Sequence, residues 1–163
     1  PRGAYVFHAL SADGAVKDAS ATSPAAGEVV VSILSHDGNG APLNTVLTAV
    51  EAALNHEDIR PLTDLVTVQG ATIIDYAITA ELVLYDGPVE DEVTAAARAA
   101  IEAHVATRHR LGHDITLSGI YAALHQGGVQ KVTLTSPAAD IVVGDGEAAF
   151  CTAITLTSGG RDV

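Results

Sequence analysis

Hydrophobic residues along this chain change between strand-like and helix-like spacing, which predicts mixed α and β structure. In Thr72–Tyr85 every second residue from Ile74 to Leu84 is apolar or aromatic, as in a strand that buries one face. Glu28–Ser35 is apolar on both faces, which predicts a strand inside its sheet. Helical spacing of apolar residues is found at Leu43, Val46, Leu47, Val50 and Leu54.

The same reasoning places elements along the whole chain. The long helix that follows Pro88 has acidic residues at its start and basic residues at its end, which suits the helix dipole. Its predicted buried stripe comprises Val89, Val93, Ala96, Ala97, Ala100, Ile101 and Val105. The other predicted helices are residues 5–13, 43–54 and 116–126, and the predicted strands are residues 16–22, 28–35, 65–69, 72–85, 129–136 and 150–157. We therefore expect an α+β fold, with helices packed on mixed or antiparallel sheets.

A short internal sequence repeat predicts two small tandem related α/β units. Both copies place a helix, a strand, a Ser-Pro break and a second strand in the same order. The predicted units are residues 1–70 and 71–163. Because the chain begins at Pro1 and contains no Met, we expect a piece of a longer protein whose first unit is truncated at its N-terminus. A chance match in an alanine-rich chain is the alternative. The first copy of the repeat comprises Ala9-Leu10, Gly14, Val16 and residues 22–26. The matching residues of the second copy are Ala123-Leu124, Gly127, Val129 and residues 135–139.

Composition and charge exclude several classes of protein. Of the 163 residues, 48% are hydrophobic and 17% are charged, which is typical of a globular chain. Eight basic residues against 20 acidic residues give a net charge of −12, so nucleic acid is not an expected partner. No apolar stretch is long enough to span a bilayer, and we expect no membrane contact. The single Cys151 lies in an apolar strand pattern, which predicts a buried, inert thiol.

Histidines are the most obvious candidates for metal ligands. His104, His109 and His113 are separated by five and four residues, and the last two lie on either side of the predicted helix end. A zinc site on a helix requires ligands four residues apart on one face, with a third ligand nearby. We therefore predict no metal site, and we interpret these histidines as exposed or helix-terminal.

The loop that starts at Asp37-Gly38-Asn39 resembles the opening of a calcium-binding loop. Ala41 stands at the third ligand position, Pro42 replaces the required glycine, and Thr48 stands where a bidentate glutamate belongs. The sequence therefore predicts an ordinary loop, without calcium.

Catalytic motifs are also missing from the sequence. It contains no GxSxG, no GxGxxG and no GxxxxGK[ST] pattern. The acidic groups Glu90-Asp91-Glu92 and Asp145/Glu147 are explained by a helix start and a turn. We predict no catalytic, cofactor-binding or metal-binding residues, and no cofactor. A small ligand-binding or hydrolytic α+β domain, with a site assembled from dispersed residues, is the alternative.

Several segments resemble the baseplate J-like proteins of contractile-tailed phages, prophages and phage-tail-like particles. The resemblance extends over essentially the whole chain and corresponds to the C-terminal portion of such proteins. Arg60-Pro61-Leu62-Thr63-Asp64 is its most distinctive part. The remaining segments are residues 7–13 with 16–18, Ser23-Pro24 ahead of residues 27–31, residues 58–59 and 66–68, residues 121–124 with 128–129, residues 136–140 and residues 151–155.

The resemblance implies a structural role and no enzymatic activity. It implies a wedge component of the baseplate that acts in tail assembly through protein–protein contacts. The implied partners are other baseplate wedge and tail proteins, and copies of the chain itself around a ring. The implied location is the virion tail, assembled in the host cytoplasm. A spike or fibre module is a further alternative, which the lack of fibrous repeats disfavours.

Overall fold

The computed structural model describes residues 2–56, 59–61 and 63–162. Within these ranges the chain forms four helices and six strands, and its contacts divide it into two units. Unit 1 runs to Ile74 and also takes Arg110–His113 and Val143–Ala148, and unit 2 takes Asp75–His109, Asp114–Val142 and the chain from Ala149 onward. The elements are α1 (Arg2–Ala12), β1 (Val16–Thr22), β2 (Glu28–Ser35), α2 (Asn44–Leu54), β3 (Leu65–Gly70), β4 (Thr72–Tyr85), α3 (Glu90–Arg108), α4 (Leu117–Leu124), β5 (Val129–Ser136) and β6 (Glu147–Asp162).

The sheet of unit 1 has β2 at its centre. β1 pairs with β2 in antiparallel register, and β3 pairs with β2 in parallel register. The prediction that Glu28–Ser35 is an interior strand is therefore confirmed. The register between β1 and β2 shifts between Val16 and Asp18, which leaves Lys17 as the extra residue of a bulge.

The core of unit 1 is built from α1, α2 and the sheet. Helix α2 buries Val46, Val50 and Leu54, as its apolar spacing predicts. The predicted stripe extends too far, because Leu43 precedes the helix and is 67% exposed. Helix α1 adds Tyr5 and contacts both β1 and α2. Burying one such aliphatic side chain contributes roughly 1.5–3 kcal/mol, so these few positions hold the two helices on the sheet.

The sheet of unit 2 has β4 at its centre, between β5 and β6. Strand β5 runs antiparallel to β4. Hydrogen bonds from Thr152 to the carbonyl of Tyr76 and from Thr157 to that of Ala80 follow the same order along both strands, so β6 runs parallel to β4. The alternation predicted for β4 is confirmed, with Tyr76, Ile78, Ala80, Leu82 and Leu84 buried.

Helices α3 and α4 pack against each other in unit 2. The apolar stripe predicted for α3 is narrower than expected, since only Val93, Ala97 and Ile101 of the predicted set are buried. Val89 lies before the helix and is 57% exposed. Thr116 caps α4 by accepting a hydrogen bond from the backbone N–H of Gly119 at 3.2 Å.

The two halves share the order of their elements but not the pairing of their strands. The path α1–β1–β2 has the same sequence of elements as α4–β5–β6. However, β1 and β2 are hydrogen-bonded neighbours, whereas β4 lies between β5 and β6. The relation between the halves, and the boundary after residue 70, therefore stay predictions. Among the described helices, none is both long and apolar enough to cross a membrane.

Candidate functional site

A cleft of about 530 Å³ lies between α3 and α4 in unit 2. His104 of α3 faces Gly119 of α4 there, and a Cβ atom added at residue 119 would stand 2.9 Å from the Cε1 atom of His104. The glycine therefore gives the imidazole room. The Nε2 atom of His104 is buried and has no hydrogen-bond partner within the described residues. The rest of the lining is mostly small: Ala100, Ala103, Thr107, Arg108, Ala122 and Ala123.

His104 was interpreted from the sequence as exposed or helix-terminal, and this is wrong. It lies inside α3 and is half-buried, because Gly119 allows α4 to cover the ring. Burial lowers the pKa of the imidazole, and the neighbouring guanidinium of Arg108 lowers it further. The ring is therefore neutral near pH 7. The nearby hydroxyls are those of Thr107, which donates to the carbonyl oxygen of Ala103 at 2.9 Å, and of Thr116, which caps α4. Neither is hydrogen-bonded to the Nε2 atom of His104, so they do not form the nucleophile–base pair that covalent catalysis uses.

The other two singled-out histidines have separate surroundings. His109 caps the C-terminus of α3, as predicted, and its Nδ1 atom lies 2.8 Å from the carbonyl oxygen of Ala149. Its ring also meets that of Phe150 edge to face, at 5.5 Å. His113 belongs to unit 1, and its Nδ1 atom is buried without a hydrogen-bond partner among the described residues. Over the described ranges, no three His, Cys, Asp or Glu side chains come together as metal ligands would.

The loop at Asp37-Gly38-Asn39 is held by its own hydrogen bonds. The Ser35 hydroxyl accepts from the backbone N–H of Asp37, and the Asn39 side chain accepts from that of Ala41. Gly38 and Gly40 have φ angles of 58° and 97°, which a tight turn through this loop requires. The absence of a calcium site remains a prediction.

Both acidic clusters lie where the sequence analysis placed them. Glu90, Asp91 and Glu92 form the first turn of α3. Glu147 accepts a hydrogen bond from the backbone N–H of Gly144 at 2.8 Å, which closes the turn that contains Asp145. Helix and turn roles therefore account for their positions.

Cys151 is less buried than predicted. It is partly exposed, because β6 is an edge strand, with no neighbouring strand on one side within the described chain. The thiol donates to the carbonyl oxygen of Ala153 at 3.4 Å. Burial raises the pKa of the Cys151 thiol, so the thiolate form that a nucleophile needs is disfavoured.

Sequence reasoning missed a long-range hydrogen bond in unit 1, between Asp18 and Leu111. The two residues are 93 positions apart, and no local motif links them. The side-chain oxygen Oδ2 of Asp18 accepts a hydrogen bond from the backbone N–H of Leu111 at 3.1 Å. Burial lowers the pKa of Lys17, and the positive charge of Arg110 lowers it further.

Two protein-family models match most of the sequence. The model described as the baseplate J-like central domain matches residues 1–70, and the one described as the baseplate J-like protein C-terminal domain matches residues 76–157. The chain belongs to the baseplate J-like family. The resemblance inferred from the sequence is thus confirmed.

Two relatives place this baseplate J-like chain among known proteins. Baseplate protein J of Escherichia phage P2 is 50% identical over 160 residues, which is 98% of this chain and 53% of the phage protein. The chain therefore spans about half the length of that relative. A chain from the cryo-EM structure of the anti-feeding prophage baseplate, 6-fold symmetrised, has a TM-score of 0.62 and 14% identity, over 93% of this chain and 36% of that one. This second likeness shows the fold alone.

Proposed function

We propose that this chain is a structural component of the baseplate of a contractile phage tail or phage-tail-like particle. The observation that carries the proposal is the 50% identity to baseplate protein J of Escherichia phage P2 over nearly the whole chain. Identity at this level extends through both units, so the role concerns the folded scaffold and not one short motif. The chain would be located in the tail of the virion or particle.

The proposed mode of action is contact with neighbouring subunits, without catalysis. The partners would be other baseplate wedge and tail proteins, together with copies of the chain around a ring. A fold similar to that of a chain from a 6-fold symmetrised baseplate supports the ring. The reactive side chains support a non-catalytic role, because the Nε2 atom of His104 has no hydrogen-bond partner within the described residues and burial raises the pKa of the Cys151 thiol, which disfavours the nucleophilic thiolate.

The test is to locate the chain in a purified particle by cryo-EM, with a small tag added to mark it. We expect additional tag density at the end of the tail that carries the baseplate, repeated around the tail axis. Tag density along the tail tube or at the head end would contradict the proposal. A particle with the same tag on a sheath protein controls for correct assignment of the signal.

A further inference from the structure

Strand β6 leaves a long stretch of backbone without a neighbouring strand. It runs for 16 residues, and β4 is its one neighbour in the sheet within the described chain. The beginning of β6 is covered on the other side, where Ala148 forms an isolated bridge with Leu111. Residues 150–161, which we call the open edge, have no strand beside them on that side in the described ranges. Their outward N–H and C=O groups are therefore available to another strand.

The open edge lacks the features that protect the other edge strands. Residues 148–160 contain no charged residue and no proline. By contrast, β1 carries Lys17, Asp18 and a bulge, β5 has eight residues and includes Lys131, and β3 has six residues. Soluble proteins keep free edges short, charged or bulged, because a long uncharged edge pairs with other strands. The composition of β6 therefore indicates a strand that is paired in the assembled state.

Side chains of the open edge alternate between two faces of the sheet. Ile154 and Leu156 are half-buried, whereas the residues of the opposite face are exposed. Ser158 follows on the same face as Leu156, and it lines a cleft beside α3 together with Asp91 and Arg98. The apolar face of the open edge is therefore the one that is turned to α3.

Groups of opposite charge on α3 accompany the open edge at two points. Arg98 donates a hydrogen bond to the carbonyl oxygen of Ile154 at 3.4 Å. Asp91 lines the cleft with Ser158, four residues further along the strand. An antiparallel pairing of two open edges centred on Leu156 brings Ile154 of each copy opposite Ser158 of the other. Arg98 of each copy then comes close to Asp91 of the other copy.

We propose that β6 pairs in antiparallel register with β6 of a second copy, around a two-fold axis at Leu156. The inference deepens the proposed function, on which it rests, by naming a surface through which copies meet. Residues 151–161 of each copy pair with the same residues of the other, and the two sheets join into one. The ion pair of Arg98 with Glu102 is exposed and 3.8 Å long, so it does not prevent a contact with Asp91.

Charge favours a second copy as the occupant of the open edge. Copies with a net charge of −12 repel each other, so they approach most easily along a surface without acidic side chains. Residues 148–160 provide such a surface. The Arg98–Asp91 contact forms twice around the two-fold axis, which makes the surface complementary to itself.

The first test is self-association of the full 163-residue chain, measured by sedimentation velocity over a range of protein concentrations. We expect a reversible dimer. Hydrogen exchange followed by mass spectrometry then locates the contact. Exchange in peptides that cover residues 150–161 should slow severalfold as the dimer forms, because hydrogen bonds between the two strands protect the amide protons. Peptides that cover β5 should exchange at an unchanged rate.

A second test adds charge to the open edge. Ala153→Lys with Thr155→Lys places two cations on its exposed face in each copy. Four like charges then lie near the two-fold axis, so the association constant should fall about tenfold or more. Thr133→Lys with Thr135→Lys is the matched control, since it adds the same charge to exposed positions of the opposite edge strand, β5, and should leave association almost unchanged. Circular dichroism confirms that each variant is folded, and Thr155→Lys alone replaces the double variant if the latter does not fold.

A third test examines the register of the two strands. Arg98→Glu and Asp91→Lys should each weaken association severalfold, because each change places like charges opposite each other at both contacts. The chain that carries both changes restores opposite charges, so its association should recover to within a few-fold of that of the wild type. An equimolar mixture of the two single variants should also associate.

Several results would overturn this contact. They are a wild-type chain that stays monomeric, slowed exchange outside residues 150–161 only, association that the lysines on β6 leave unchanged, and failure of the Arg98→Glu, Asp91→Lys chain to recover. Protection of β6 that requires a different protein would equally exclude the second copy as the occupant. If any of these occurs while tagged particles still show the chain in the baseplate, the contact is wrong and the proposed function stands.

Discussion

The two helix pairs of the molecule are packed by different kinds of residues. In unit 1, α2 buries Val46, Val50 and Leu54 against a core of similar aliphatic side chains. In unit 2, Gly119 of α4 faces the half-buried imidazole of His104, whose Nε2 atom has no hydrogen-bond partner in the described chain. Large aliphatic side chains gain stability from burial alone. The α3–α4 contact instead depends on the missing side chain of Gly119 and on the charge state of His104.

The largest effect expected from this comparison is the loss of the unit 2 sheet in Ile78→Asp. Ile78 is fully buried on the central strand β4, and an unpaired carboxylate there costs several kcal/mol, a large share of a typical stability of about 5–15 kcal/mol. We expect a chain that does not give a cooperative thermal transition by circular dichroism. The exposed Asp75→Asn on the same strand is the control, and it should melt like the wild type. Cooperative unfolding of Ile78→Asp near the wild-type temperature would contradict the assigned core.

A smaller loss is expected from Leu54→Ala at the end of α2. Leu54 is fully buried in the core of unit 1, so its truncation should lower the free energy of unfolding by about 2–5 kcal/mol. Urea denaturation measures the change. Leu43→Ala, at the exposed residue just before the same helix, should change stability by less than about 0.5 kcal/mol. Equal losses in both variants would show that the aliphatic packing of α2 has been misassigned.

The α3–α4 contact is tested by Gly119→Ala. The added methyl would stand 2.9 Å from the His104 ring, so we expect a loss of about 1–3 kcal/mol from overpacking. Gly3→Ala is the matched control, because a Cβ atom at this position in α1 meets no atom within 4 Å. It should be neutral, or stabilising by less than about 1 kcal/mol.

A double-mutant cycle sharpens this prediction. In a His104→Ala background the added methyl no longer meets the ring, so Gly119→Ala should cost clearly less than it does in the wild type. An unchanged cost would mean that the clash arises elsewhere, for example with Thr116, whose Oγ1 atom lies 3.0 Å from the same position.

The smallest expected effect is a dependence of stability on pH that arises from His104 in α3. The folded pKa of His104 lies below the ordinary value of 6.5, so the unfolded chain takes up the proton first as the pH falls. The contribution of neutral His104 to the free energy of unfolding is therefore fully present above about pH 6.5. It decreases below that value and levels off once the pH passes the lowered folded pKa. His104→Gln should flatten this part of the stability curve in urea denaturation from pH 7.5 to 5. If stability fell with pH equally steeply in the wild type and in His104→Gln, the assignment of this pH dependence to His104 would be refuted.

The fold was largely predictable because its signals are periodic and local. Alternation in β4 and helical spacing in α2 depend on neighbouring residues, and both were confirmed. The half-burial of His104 was not predictable, since it depends on Gly119, fifteen residues later on another helix. The Asp18–Leu111 hydrogen bond was missed for the same reason, because these two residues meet only through the tertiary fold. Strand β6 was predicted too short, as its exposed end lacks the apolar alternation that marks a buried strand.

The central claim, that this chain acts through its folded scaffold and not through a reactive group, is tested most directly by particle assembly. Particles would be produced with His104→Ala, Asp145→Asn or Ile78→Asp in this chain, and then counted by electron microscopy and assayed for activity. The account predicts complete, active particles for the first two variants, and no complete tails for Ile78→Asp because the scaffold unfolds. Complete but inactive particles carrying His104→Ala or Asp145→Asn would contradict it.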